Sequence, residues 1–166
     1  MNIITYTTED ITPPLKPKTW IVYVRGTPPT AWGKNRKQIH RIEPKGGRSF
    51  TKLNKPPSIK ASEAWLFDAI ENRLPDELFK GPLKLRVTVC WPYRKSERKS
   101  ITKDGSLIPK DTSPDADNIL SSVQDVLNGC VYKDDGQIYC TTCDKWWGPE
   151  GFVRIEVSEL AKEARV

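Results

Sequence analysis

The chain has 166 residues, with 27 Lys and Arg against 21 Asp and Glu, a net charge of +6, six Trp and four Cys. That is one ordinary domain, able to bury roughly 70% of its unfolded surface without disulfides. With 29% charged and 37% hydrophobic residues and no apolar run of about 18, the composition excludes a collagen, a coiled coil, a secreted knottin and a membrane-spanning helix.

Residues 1–19 hold Pro13, Pro14 and Pro17 and read as a loose arm, with no basic stretch and apolar core of a signal peptide. Without a secretory signal, the four Cys suggest reduced thiols in a cytosol. Trp20–Val24 is a β-branched and aromatic run that predicts a buried strand. Residues 25–60 are rich in Gly, Pro and Lys and predict a long, basic, functional loop. From Ser58 to Leu74, Ala61, Trp65 and Ala69, and Leu66, Ile70 and Leu74, recur at helical spacing, and Pro75 stops the helix. Leu83, Leu85, Val87, Val89 and Trp91 alternate with polar residues and predict a half-buried strand. Tyr93–Lys110 reads as a second basic loop. Ile119, Leu120, Val123, Val126 and Leu127 give a helical period, ended by Asn128-Gly129. Cys130–Tyr132 and Gln137–Thr142, around Asp134-Asp135-Gly136, suggest a hairpin, and Phe152–Val157 a last strand. Residues 20–166 then form a single domain.

Charge is unevenly placed. Residues 34–60 carry nine basic side chains against Glu43 alone, and residues 84–110 carry eight against Glu97 and Asp104. Residues 111–135 instead hold six Asp against Lys133. A basic surface neutralises phosphates and releases counterions, the dominant contribution to nucleic-acid affinity. The acidic patch would repel that same backbone unless cations sat in it.

Within the patch, Asp115 and Asp117 stand two apart before the helix. Extended geometry would point both side chains one way, with Asp117 as N-cap. Asp125 follows on the polar face, and the next turn returns Asp134 and Asp135. Two carboxylates about 4 Å apart repel by roughly 4 kcal/mol at an effective dielectric near 20, so a cluster needs protons or a hard cation. Mg²⁺ takes a few carboxylate oxygens and keeps several waters, and it promotes phosphodiester hydrolysis. An EF-hand is excluded: counted from Asp115, the sixth residue is Leu120 and the twelfth Val126, where Gly and Glu are required. The plainer alternative is that these acids are only helix caps and turn residues.

Three stretches, Ser113-Pro114-Asp115-Ala116-Asp117-Asn118-Ile119-Leu120, Gln124-Asp125-Val126-Leu127-Asn128-Gly129 and Tyr132-Lys133-Asp134-Asp135-Gly136-Gln137-Ile138, together resemble the signature of the RusA family of Holliday-junction resolvases, common in prophages. Gly26-Thr27-Pro28-Pro29 and Lys34-Asn35-Arg36 resemble that family's Pro-Pro strand end and basic segment. The resemblance implies a small α+β fold with helices packed on a mixed sheet, a homodimer, and Mg²⁺-dependent paired nicking of four-way DNA. It implies Asp115, Asp117 and Asp135 as catalytic, metal-binding carboxylates, with Asp134 in support. It also implies a Lys four residues after the second Asp, where this chain has Ser121. Either a nearby lysine such as Lys110 or Lys133 supplies that charge, or activity is weakened or lost.

The basic loops, through Lys34, Arg36, Lys37, Arg41, Arg94, Lys95 and Lys110, are expected to hold the arms of four-way or branched DNA by charge rather than by base readout. A non-catalytic, dimeric junction-binding protein is the alternative. Cys140 and Cys143 have knuckle spacing, but three apart on a strand they face opposite sides, so free thiols are expected rather than zinc. His40 is expected at the surface, and Trp146-Trp147 in core or dimer contact as readily as against bases.

Overall fold

The computed structural model describes residues 18–33, 50–96 and 104–160, and residues 38–42; in 38–42 and 50–54 the backbone alone is described. Strands β1 (Lys18–Arg25), β2 (Gln38–Ile42) and β3 (Phe50–Asn54) precede helix α1 (Pro57–Ile70). Then come β4 (Leu83–Pro92), β5 (Ile108–Pro109), helix α2 (Ala116–Leu127), β6 (Ile138–Gly148) and β7 (Phe152–Glu159). The architecture is α+β. Five strands form one mixed sheet in the order β1-β7-β4-β6-β5, in which only β4 and β6 are parallel; β2 and β3 form a separate antiparallel pair.

The alternation in β4 decides which face is covered. Leu83, Leu85, Val87 and Val89 are fully buried, as are Val153, Ile155 and Val157 of β7. They meet Leu66 and Ile70 of α1 and Ile119, Val123 and Leu127 of α2 in one core. The opposite face carries Lys84, Arg86 and the stacked rings of Tyr23 and Phe152. Burying those twelve apolar side chains, at roughly 1.5 to 3 kcal/mol each, is what fixes the helices on the sheet.

Several expected boundaries move. β1 begins at Lys18, inside the expected arm, and the rest of that arm lies outside the described residues. Within the expected loop of 25–60, β2 and β3 pair as a hairpin. Helix α1 gives way to a 3-10 turn at Glu71–Arg73, and Leu74 is extended, as the residue before Pro75 must be. The expected hairpin around Asp134-Asp135-Gly136 is not formed. Instead Asp134 opens a single 3-10 turn, and the following strand runs on to Gly148 as the parallel neighbour of β4. A parallel pair needs a long crossover, and β5 with α2 supplies it. The two-residue strand β5 was not predicted; it pairs Ile108 and Pro109 with Trp147 and Trp146.

Candidate active site

The sequence from Ile108 to Leu127 lays the acidic patch along the crossover. At its start, β5 delivers Lys110 beside β6, where the Lys110 amide donates to the Lys145 carbonyl at 2.9 Å. Lys110 is expected on the DNA-binding surface, but it is buried. Its ammonium lies 4.3 Å from the centre of the Trp147 ring and 5.2 Å from that of Trp91. It donates to the Thr112 hydroxyl at 2.6 Å, to the Thr112 carbonyl at 3.3 Å and to the Ser113 carbonyl. With three donors so engaged, it has none to offer a phosphate. Burial, then the nearby Lys145 and Arg94, hold its pKa below the usual lysine value. Lys145 itself donates to the Thr112 carbonyl at 2.9 Å and the Pro114 carbonyl at 2.8 Å. Two cations thus grip the segment that leads into α2.

Asp115 is the N-cap of α2, although its side chain makes no capping hydrogen bond; Asp117, expected in that position, lies in the first turn. Both are exposed, and neither has a side-chain partner among the described residues. The indole of Trp91 donates to the carbonyls of Pro28 at 3.0 Å and Pro29 at 3.3 Å, which seats the Pro-Pro turn at this end of the sheet. Gly33 follows at φ +135°, a conformation suited to glycine. Its amide donates to the Ser122 hydroxyl at 3.0 Å, and a Cβ there would stand 2.8 Å from Asn118. The basic segment holding Lys34, Arg36 and Lys37 lies outside the described residues, as does the Arg41 side chain. Arg94 and Lys95 are exposed, and the Arg94 guanidinium lies 5.1 Å over Trp147. Ser121 is buried in the helix.

The other end of α2 is built differently. Tyr132 is fully buried and its hydroxyl donates to the Gln124 carbonyl at 3.3 Å. Burial pushes its phenol pKa up, and the charges of Asp135, Cys130 and Asp125 add to the shift. Asp125 pairs with Lys55 at 2.7 Å, and Lys55 also reaches Glu63 of α1 at 2.8 Å. Asp134 accepts from the Gly136 amide at 2.7 Å in a capping box closed by Gln137. Gln137 in turn donates to the carbonyls of Phe79 and Gly81, so the turn is tied to the start of β4. Asp135 is exposed and has no side-chain partner among the described residues.

The acids therefore occupy two places. A 12-residue α2 is about 18 Å long, and it separates Asp115 and Asp117 from the turn of Asp134 and Asp135. Lys145 and Ile138, which mark the two ends on β6, are on the order of 23 Å apart along the strand. Among the described residues no group of three or more His, Cys, Asp or Glu stands close enough to hold an ion. The expected closure of Asp115, Asp117, Asp134 and Asp135 around one cation is not made within one chain. The donor chemistry suits Mg²⁺, since these are hard, exposed oxygens. Within one chain the pair Asp115 and Asp117 stands apart from Asp134 and Asp135. Cys140 and Cys143 are free thiols, and burial pushes Cys143 up to about 11.

The structure is a small α+β fold with an Asp-x-Asp at the start of α2, behind a segment that Lys110 and Lys145 hold through its carbonyls. Residues 27–158 match the family model of the endodeoxyribonuclease RusA, and the chain belongs to that family. It is also similar to the uncharacterized protein YqaN of Bacillus subtilis (strain 168), at 26% identity over 113 residues, 66% of this chain and 80% of that protein. No described helix is long and apolar enough to cross a membrane.

Proposed function

We propose that this protein is a Mg²⁺-dependent endonuclease that resolves four-way DNA junctions by paired nicks, acting as a homodimer. The observation that carries this reading is the pair Asp115 and Asp117, exposed without a described partner at the amino end of α2, in a chain of the endodeoxyribonuclease family. Asp115 and Asp117 would hold a divalent ion, which when bound would supply Lewis-acid polarisation of a phosphoryl oxygen and a bound water of lowered pKa. The protein's own part is to supply hard oxygens and to carry the phosphate backbone on the basic surface of Arg94, Lys95 and the segments around Lys34, Arg36, Lys37 and Arg41.

Both the geometry and the substrate favour a dimer in this reading. A junction has two symmetric scissile strands, which suit a two-fold pair of sites. One chain leaves Asp135 an α2 length away from Asp117, whereas two chains laid antiparallel bring the amino end of one helix to the carboxyl end of the other. In this reading Asp115 and Asp117 of one chain share their cation with the partner's Asp135. The experiment is cleavage of a synthetic four-way junction by the purified protein, with and without Mg²⁺. Paired nicks that vanish in Asp117→Asn support the assignment, and cleavage that survives Asp117→Asn overturns it. Tight junction binding with no cutting in any divalent ion establishes the non-catalytic alternative, toward which Ser121, in place of the family's lysine, points.

A further inference from the structure

Lys110 and Lys145 pose a physical problem. A buried or half-buried ammonium loses hydration, and two of them close together repel. The fold nevertheless gathers both, with Arg94 nearby, around three consecutive residues, and spends five hydrogen bonds on Thr112, Ser113 and Pro114. A neutral donor would hold such a loop with less desolvation. What a neutral donor lacks is three donors on one atom, enough for Lys110 to hold the Thr112 hydroxyl and the carbonyls of Thr112 and Ser113 together. The Pro114 carbonyl held by Lys145 belongs to the peptide whose nitrogen is that of Asp115, so the grip ends on the acid itself.

We propose that Lys110 and Lys145 are the positioning residues of Asp115: they lock the segment from Thr112 to Pro114 and so fix the backbone that carries Asp115 into α2 before any cation arrives. Lys110 supplies the buried anchor in its Trp91–Trp147 cage, and Lys145 the half-buried clamp nearer the acid. Neither makes contact with DNA in this scheme. The consequence for the reaction, which rests on the nuclease reading above, is a loss in the rate of cutting rather than in junction affinity.

The test compares the full-length protein with Lys145→Met and Lys145→Arg, and with Lys84→Met on the uncovered sheet face as a control. Hydrogen exchange across residues 111–120, Mn²⁺ binding followed by its spin-resonance signal, junction affinity without metal, and single-turnover cleavage are measured on each. Lys145→Met is expected to speed exchange in that segment, weaken Mn²⁺ binding, and slow cleavage roughly tenfold or more, as a misplaced reacting group does, with junction affinity held within about twofold. Lys145→Arg, which can still donate to two carbonyls, restores most of each. Unchanged exchange and Mn²⁺ binding overturn the proposal, as does a loss confined to junction affinity, which would make Lys145 a phosphate contact. Exchange and Mn²⁺ binding report on the lysines even if the native protein fails to cut, so failure of the nuclease reading is seen separately. Lys110→Met serves as a second variant only where it remains folded.

Discussion

The two ends of α2 use the same residue type for opposite purposes. At the carboxyl end, Asp134 caps its turn and Asp125 pairs with Lys55, so these carboxylates are occupied by donors of the protein itself. At the amino end the nearby cations hold backbone carbonyls, and Asp115 and Asp117 keep their oxygens without a described partner. A carboxylate that spends its lone pairs on local structure gains stability and gives up ligand capacity. Of the acids between Asp115 and Asp135, the three left available by this division are Asp115, Asp117 and Asp135. They are also the residues to which the family resemblance assigns the metal.

The sharpest way to break the comparison is to disable one end in each of two chains. Asp117→Asn and Asp135→Asn are each expected to abolish junction cleavage while leaving the fold intact, since both side chains are exposed. If each site draws Asp117 from one chain and Asp135 from its partner, a mixture of the two variants forms heterodimers with one intact site. Nicking of one strand then returns in the mixture, measured as nicked rather than resolved junctions. If both acids of a site came from one chain, the mixture would stay inactive.

Next in size is the stability effect at the amino end. Lys110→Met keeps the contact with Trp91 and Trp147 but strips charge-assisted hydrogen bonds from Thr112 and Ser113, at an expected cost of about 2 to 3 kcal/mol in chemical denaturation. A cost near zero would mean that the segment is held by packing alone.

How much of this was legible beforehand depends on the range of the interactions. The strand at Leu83–Trp91 and the helix after Asp117 are written in local periodicity, which burial follows at the apolar positions, while Cys90, Ser121 and Ser122 are buried as well. The parallel pairing of β4 and β6 is not local. Asp134-Asp135-Gly136 has the composition of a hairpin turn, and only the competing capping box with Gln137 sends the chain into a crossover partner. Lys110 was misplaced for the same reason. Its neighbours in sequence are polar, while its cage comes from Trp91 and Trp147 on two other strands. Lys145 carried no signal beyond its place on the inward-facing side of a strand among aromatics. The separation of Asp117 from Asp135 was not derivable from helix length alone, since the eight residues from Leu127 to Asp135 could span about 27 Å and return past the helix; the course of β6 beside β4 decides it.

A smaller effect probes the capping box. Asp134→Ala removes the acceptor for the Gly136 amide and is expected to cost about 1 kcal/mol, the usual loss for such a cap, with cleavage reduced only as far as Asp135 loses its place. Asp134→Asn, which can still accept, should recover most of it. If Asp134→Ala instead abolished cleavage at full stability, Asp134 would belong with the available acids and the division between the two ends would fail.

The smallest effect belongs to Lys55, and its pH dependence tells more than its size. The pair it makes with Asp125 and Glu63 is partly exposed, so Lys55→Met should cost no more than about 1 kcal/mol near neutral pH. Burial alone would lower the Lys55 pKa, but the hydrogen bonds to Asp125 and Glu63 outweigh it and raise the pKa above its ordinary 10.5. A lysine whose folded pKa is raised contributes its stability in full below the unfolded value and loses it as pH climbs through the folded one. Native protein and Lys55→Met should therefore differ in denaturation midpoint at pH 7 to 9 and converge as the pH climbs past the ordinary lysine value and the ammonium is lost. Since Lys55 follows directly on β3, the same variant should also weaken junction binding if the β2–β3 hairpin contributes phosphate contacts, and should leave single-turnover cleavage at saturating DNA unchanged. A fall in that rate instead would place Asp125 among the acids that do chemistry.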